Sequence, residues 1–334
     1  MSELPGWPHA APPFHPGEQA QQARAGVRER MAAVGYKVVR TQMPEQHREL
    51  FEKLPFMLLG ALDAQRRPWA SVLVGEPGFV HTPDAATLAI AARPLVPASL
   101  ELPLHAGAAV GLLGIEPATR RRNRLNGVLG AADAGHLQVH VRQSFGNCPK
   151  YIQARDLRPV PATPAQPVAF TQALPPDAAQ CIAQADTFFI ATASPDAGLP
   201  QQAAHGGVDV SHRGGKPGFV HVQQVGGRTV LTAPDFIGNF FFNTLGNIAA
   251  NPLAGLLFID WTRGDLLMLT AQAEVLWDGP ELHSFAGAQR LLRLRVDEGH
   301  WWPGAWPLRA SEVDYAPQLA ATGTWDDSAA AAPR

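Results

Sequence analysis

Short apolar segments recur along this chain, separated about every eight to twelve residues by Gly, Pro or Asp. Several alternate apolar and polar positions, the period of a β-strand with one buried face. Examples lie at 56–61, 87–91, 137–141 and 266–276. The pattern predicts antiparallel sheet that closes into a barrel or sandwich.

Four stretches have helical residue types instead: 18–34, 45–54, 177–185 and 281–296. In the last, an apolar face is predicted from Leu282, Phe285, Leu291, Leu292 and Leu294. The fold class predicted is therefore mainly β with flanking helices.

The strand segments occur twice, in the same order. The matched blocks are 56–61 with 188–193, 77–81 with 217–221 (PGFVH in both), and 109–116 with 253–260. Their offsets are 132, 140 and 144 residues, which places eight extra residues of the second copy around 208–216. Blocks in a shared order predict a duplicated β domain.

Proline-rich sequence at 159–167 suggests a linker between the copies. The predicted organisation is a helical extension (1–54), a first barrel (55–158), a linker (159–174), a second barrel with the main ligand site (175–315) and a flexible tail (316–334).

Composition narrows the function classes. Across 334 residues the net charge is −2, which argues against nucleic acid or an anionic membrane as a partner. There are two cysteines and no CxxC pair, and His136 and His140 lack an evident third ligand, so no metal is predicted. Without a signal-peptide pattern or an apolar run of 18 residues, we expect a cytoplasmic, soluble protein.

A basic, glycine-rich turn is the strongest chemical signal. Ser211, Arg213 and Lys216 supply a hydroxyl, a guanidinium fork and an ammonium, and Gly214 and Gly215 would let backbone amides approach an anion. Its place in the apparent insertion of copy two favours function, although an exposed turn with solvated charges is the alternative.

Three further clusters are candidates. In 234–252, Asn243, Thr244 and Asn247 stand beside a phenylalanine run. This mixture suits a flavin, and the alternative is a buried helix capped by its asparagines.

The arginine run within 119–126, which includes Arg120, forms either a cationic wall across the interface or a solvated face. Copy two keeps Arg263 at that place. Within 144–153, a structural role is expected for Cys148.

With these motifs, the chain resembles the pyridoxamine 5′-phosphate oxidase-like, FMN-binding split-barrel family, in particular bacterial predicted flavin-nucleotide-binding proteins. The resemblance rests on residues 144–153, 211–220, 242–260 and 264–279. It implies two tandem Greek-key split β-barrels forming a pseudo-dimer, with FMN in the crevice between them. It also implies that Asn243, Thr244 and Asn247 face the flavin nucleotide.

The resemblance further implies that Ser211, Arg213 and Lys216 approach the phosphate of FMN. Gly246 and Asn247 stand where the oxidase carries basic residues, and the oxidase's C-terminal Arg-x-His motif has no counterpart. Oxidation of pyridoxamine phosphate is therefore not expected.

The predicted function is a flavin-dependent oxidoreductase acting on a small-molecule redox substrate. The alternatives are a non-catalytic flavin or haem carrier and a structural pseudo-dimer whose sites have decayed. Because the basic turn and the asparagine segment belong to copy two, we expect one FMN site, anchored on 209–247, and an empty second symmetric site. A homodimer in addition to the intrachain pair is left open.

Overall fold

A computed structural model of the chain describes residues 4–310 and 312–325. Two antiparallel sheets dominate it, so the mainly β prediction is confirmed. The strands of the first sheet are β1 (Phe56–Leu62), β2 (Pro68–Val74), β3 (Val80–Asp84), β4 (Thr87–Ile90), β5 (Ala109–Glu116), β6 (Arg121–Ala132) and β7 (Leu137–Gly146). Two short strands follow, β8 (Leu157–Pro159) and β9 (Val168–Thr171).

The second sheet repeats the first. Its strands are β10 (Thr187–Ala193), β11 (Val208–Gly214), β12 (His221–Val225), β13 (Arg228–Asp235), β14 (Leu253–Ile259), β15 (Leu266–Leu276) and β16 (Arg290–Trp302). A final strand, β17 (Leu308–Ala310), pairs with β8. The strand order is β2-β1-β5-β6-β7-β4-β3 in one sheet and β11-β10-β14-β15-β16-β13-β12 in the other. These orders are the same when each strand is matched to its counterpart, as a duplicated domain requires.

The pairing registers correct the alignment of the two copies. Phe56 pairs with Val74, and Thr187 pairs with Gly214, so the counterpart of Phe56 is Thr187 and not Phe188. The second copy therefore has nine extra residues, in the β10–β11 loop at 194–207. The prediction that the basic turn is an insertion is wrong, because residues 211–220 match 71–80 one for one.

Helices lie outside the sheets: α1 (Pro16–Arg24), α2 (Arg28–Val38), α3 (Glu45–Lys53), α4 (Pro176–Gln184), α5 (Asn243–Ala250) and α6 (Pro280–His283). The single helix predicted over 18–34 is two helices, because the chain turns at Gly26 with φ +69°. Among the described residues, no helix combines the length and the apolar composition that a membrane span requires.

The helix predicted over 281–296 is also wrong, since only residues 281–283 are helical, 284–289 form turns, and 290–296 begin β16. Leu292, Leu294 and Val296 are buried while Arg295 between them is exposed. That alternation has the period of a strand, and β15 and β13 supply the pairing on both sides.

The segments predicted as linker and tail are partly ordered by packing. Within 159–174, β9 pairs with β16. In the C-terminal segment, Leu319 is buried, and the indole N–H of Trp325 donates to the carbonyl of Phe219 at 2.7 Å. The tail prediction for 326–334 lies outside the described residues.

The two halves meet where β1, β2 and β5 pack on β10, β11 and β14. Glycines permit this approach: a Cβ at Gly111 would lie 2.5 Å from the carbonyl oxygen of Val208, and one at Gly255 would lie 2.3 Å from that of Pro68. One apolar core extends across the contact, with Val72 and Leu113 from the first half and Phe189 and Leu257 from the second. The crevice beside this contact holds the candidate site.

Candidate functional site

Two strands, one from each half, direct arginine side chains into this crevice. Residues two apart on a strand share a face, so Arg122 and Arg124 lie together on β6, and Ser211 and Arg213 lie together on β11. All four line one cavity of about 90 Å³, named the arginine cavity below. Its full lining is Arg122, Arg124, Asn147, Cys148, Ser211, His212, Arg213, Asp235, Phe236, Gly238, Asn239, Phe240, Phe242, Asn243, Thr244, Leu245 and Arg290.

The N-terminus of α5 opens onto the same cavity. Phe242 at the N-cap position and the first three residues of the helix belong to its lining. Among the described residues no side chain caps this end, because a phenylalanine stands where Ser, Asp or Asn would accept an amide hydrogen bond. The free amides and the positive end of the helix dipole make the position favourable for an anion.

Backbone strain accompanies this arrangement. Phe240 and Phe242 take φ values of +62° and +61°, and Tyr151, beside the cavity, takes +64°. The left-handed region is costly for residues with a Cβ and is occupied where surrounding packing imposes it. Here it brings Phe240 and Phe242 to the cavity wall.

Cations outnumber acids around the arginine cavity. Its lining has four arginines and one carboxylate, Asp235, which lies 2.9 Å from Arg290 and 3.6 Å from Arg213. Arg122 has no acidic partner among the residues of the described ranges, and its Nε donates to the carbonyl of Cys148 at 2.9 Å. Burial, followed by repulsion from Arg124 and Arg213, lowers the pKa of Arg122 to about 9. The guanidinium remains charged at neutral pH, so the cavity favours an anion.

Arg124 joins the two halves at the inner end of the cavity. Its Nη1 donates to Asp209 at 3.0 Å and to the side-chain oxygen of Asn243 at 2.9 Å, and its Nη2 contacts the Ser211 hydroxyl. Thr244 donates to the same hydroxyl at 3.0 Å. These bonds fix the first turn of α5 against β6 and β11.

A buried carboxyl of the N-terminal extension completes this network. Glu18 of α1 accepts the backbone N–H of His15 at 2.7 Å and contacts the side-chain amide of Asn243. Burial and the nearby Asp209 raise the pKa of Glu18 well above its usual range. The extension is therefore packed against α5 through a carboxyl that favours its neutral form.

Of the eight residues predicted from the sequence, four lie together in the cavity wall: Ser211, Arg213, Asn243 and Thr244. Asn247 lies one turn further along α5, where its amide donates to Asp209 at 2.9 Å and to Thr192 at 3.1 Å. Its contacts support the network behind the cavity.

The other three lie elsewhere. The ammonium of Lys216 donates to the carbonyl of Thr322 at 2.5 Å. Arg120 pairs with Asp314 at 2.7 Å, and Arg263 lies in a different pocket beside Asp265. The structure does not bring these three side chains to the arginine cavity.

Sequence reasoning missed Arg122, Arg124, Arg290 and Asp235. The sequence leaves the arginine run as either a cationic wall or a solvated face, and Arg120 is the residue of the run predicted to bind the cofactor. The run belongs to β6, and the period of two would have placed Arg122 and Arg124 on one face. Arg290 and Asp235 are brought together by the pairing of β13 with β16, which the mistaken helix concealed.

The glycines of the basic turn have a different role from the one predicted. Neither Gly214 nor Gly215 has a positive φ, whereas Gly218 has φ +81°. A Cβ at Gly214 would lie 1.9 Å from the carbonyl oxygen of Tyr151. The glycine permits close packing of two chain segments instead of forming an amide cradle.

The symmetry-related position in the other half has a different chemistry. By register, Arg213 corresponds to Leu73, and Arg122 and Arg124 correspond to Leu266 and Met268. The counterpart of Asp209 is Trp69, a fully buried side chain that donates to Asp63 at 2.9 Å. Residues 91–108, in the place of α5, form no helix. Apolar side chains fill that position.

The chain is similar to several solved structures of other proteins. No family model matches the chain, and no curated protein does. Similar solved structures include a tagged form of HupZ from Group A Streptococcus (11% identity, 37% of this chain and 90% of that one, TM-score 0.29). A candidate pyridoxamine 5′-phosphate oxidase from Lactobacillus delbrueckii is similar at 15% identity, over 39% of this chain and 98% of that one, with a TM-score of 0.28.

The heme storage protein HutZ from Vibrio cholerae is also similar, at 15% identity over 39% of this chain and 94% of that one, with a TM-score of 0.26. These are likenesses of fold. The chemistry of the arginine cavity rests on its own geometry.

Proposed function

We propose that this protein binds FMN, with the 5′-phosphate in the arginine cavity, and acts as a flavin-dependent oxidoreductase. The observation that carries the proposal is the uncapped N-terminus of α5 opening onto four arginines and one carboxylate. Guanidinium forks and helix N-terminal amides are the groups that proteins use to bind phosphate.

The size of the cavity fits one end of FMN. Its volume of about 90 Å³ is below the roughly 300–1,000 Å³ of pockets that enclose a whole ligand. A phosphate group fits that space, and its charge of about −2 at pH 7 offsets most of the excess positive charge of the lining. The ring then has to lie at the open side, where Phe236 and Phe240 offer apolar surface next to the exposed Ile237.

Different residues of the cavity have different roles in binding the nucleotide. Arg122 and Arg213 bind phosphate oxygens, and Asp235 orients Arg213 and Arg290. Asn243 and Thr244 keep the amides of α5 in place through Arg124 and Ser211. The FMN, when bound, supplies hydride acceptance at its N5 position, and the protein supplies orientation and charge.

The difference between the halves supports a single FMN per chain. The symmetry-related position presents leucine, methionine and tryptophan in place of the arginines and Asp209. A phosphate there would meet no cation from those residues and would be buried at high cost.

Binding of FMN and of riboflavin, which lacks the phosphate, tests the proposal by calorimetry. We expect one FMN per chain and riboflavin binding at least about 100-fold weaker, the factor for losing two charged hydrogen bonds of at least about 1.5 kcal/mol each. Arg122→Gln and Arg213→Gln should each weaken FMN binding by about 10- to 150-fold, the factor for a lost charged hydrogen bond of about 1.5–3 kcal/mol. Arg142→Gln, at an exposed position of β7, is the matched control and should bind normally.

Unchanged FMN affinity in the Arg122→Gln, Arg213→Gln double variant would refute the phosphate position. A Soret band in the purified protein would favour the haem alternative. If FMN binds, oxidation of NADH or NADPH by the loaded protein distinguishes an enzyme from a carrier.

A further inference from the structure

Cys148 belongs to the lining of two neighbouring cavities. One is the arginine cavity, and the other is a neighbouring space of about 60 Å³ that Lys150 and Tyr151 also line. Cys148 is half-buried, and its carbonyl accepts the Nε hydrogen of Arg122 at 2.9 Å. The residue is thus fixed in the wall of an open space.

The surroundings of this thiol are cationic. Arg122 and Arg213 line both cavities with Cys148, and Lys150 lines the second. Neighbouring cations attract an anionic reagent towards the position of the sulfur. Cys181, by contrast, lies on the buried face of α4, and burial raises the pKa of its thiol to about 12. It provides an unreactive reference within the same chain.

An independent observation indicates that the arginine cavity binds an anion. Arg124, only 5% exposed, lines the arginine cavity, and within the described part of the chain its Nε has no hydrogen-bond partner. The same holds for the Nε of Arg213 and the side-chain nitrogen of Asn147. Buried donors without partners are rare and costly, and an anionic ligand would satisfy them.

We propose that Cys148 is a redox-modification site for small disulfides that carry carboxylates. The Cys148 thiolate attacks one sulfur of the disulfide, a bond forms between Sγ and that sulfur, and the other half leaves as a thiolate. The disulfide is the oxidant and is reduced as the mixed disulfide forms. The carboxylates of the attached half occupy the arginine cavity, so modification and a phosphate ligand exclude each other.

Two aromatic disulfides of opposite character test this in the full-length protein. One is 5,5′-dithiobis(2-nitrobenzoate), which carries two carboxylates, and the other is 4,4′-dithiodipyridine, which is neutral. We expect the ratio of their rate constants to exceed that of free cysteine by at least about five-fold, the factor for one charge contact at 4 Å in water. Added salt and inorganic phosphate should lower the ratio.

Variants assign the effect to residues. Cys148→Ser should abolish the reaction, and Cys181→Ser should leave it unchanged. Arg122→Gln and Arg213→Gln should each lower the rate ratio, while Arg142→Gln should not. A Cys148 that is unreactive towards both probes, or a rate ratio equal to that of free cysteine, would overturn the proposal. The experiment contains no flavin, so a failure of FMN binding would leave its result unaffected.

Discussion

Replacing Glu18 by glutamine should remove a pH dependence that the wild-type protein shows. The carboxyl is 2% exposed, and its neighbours are Asp209, His15 and Arg124. Burial and Asp209 raise the pKa of Glu18 above the value of 4.5 for an unperturbed side chain. The folded state therefore holds a proton that the unfolded state releases.

The sign follows from linkage. A raised folded-state pKa gives stability that is fully present below the unfolded pKa and is lost as the pH rises through the folded pKa. Between the unfolded and the folded pKa, only the native state holds the proton. In that range the free energy of unfolding falls by about 1.4 kcal/mol for each unit by which the pH rises. Glutamine cannot ionise, so the stability of Glu18→Gln relative to wild type should increase from pH 5 towards pH 8.

Glu18→Ala separates the charge from the hydrogen bonds. It leaves the buried N–H of His15 and the amide of Asn243 without their acceptor. Each unpaired donor costs about 1–3 kcal/mol, so Glu18→Ala should be about 2–6 kcal/mol less stable than Glu18→Gln at every pH.

Urea unfolding followed by tryptophan fluorescence at pH 5, 6, 7 and 8 measures these differences. Taking the difference between variant and wild type cancels the titration of other groups. If the difference between Glu18→Gln and wild type were independent of pH, the carboxyl would be ionised throughout and the reasoning would be wrong.

Two further results are expected. Gly255→Ala should lower the free energy of unfolding, measured by calorimetry, by about 1–3 kcal/mol, because the added methyl group would meet the carbonyl of Pro68 in the other half. An unchanged melting temperature would contradict this. Lys216→Ala should keep FMN affinity within about three-fold of wild type in titration calorimetry, because the ammonium of Lys216 donates to a backbone carbonyl of the C-terminal segment. A loss comparable to that of Arg213→Gln would instead place the phosphate near the basic turn.

The duplicated sheets could be predicted from the sequence, because strand periodicity and the order of the apolar blocks are visible along the chain. The sequence was insufficient for the register, since matching Phe56 to Phe188 by residue type shifts β10 by one residue and gives eight extra residues instead of nine. A shift of one residue in a strand reverses which side chains share a face.

Half of the predicted site residues line one cavity because Ser211, Arg213, Asn243 and Thr244 are close in two consecutive motifs. The missing members required contacts between distant segments. Arg124 meets Asp209 across 85 positions of sequence, and no local pattern indicates such a pairing.

The arginine cavity takes Arg122 and Arg124 from one copy of the repeat and Arg213 and Arg290 from the other. In a dimer of identical chains, any substitution appears at both symmetric positions at once. Covalent linkage of the copies removes that constraint, so one position can acquire charge while its counterpart acquires the packing of Trp69. The duplicated chain thus keeps a shared core and is free to specialise a single site.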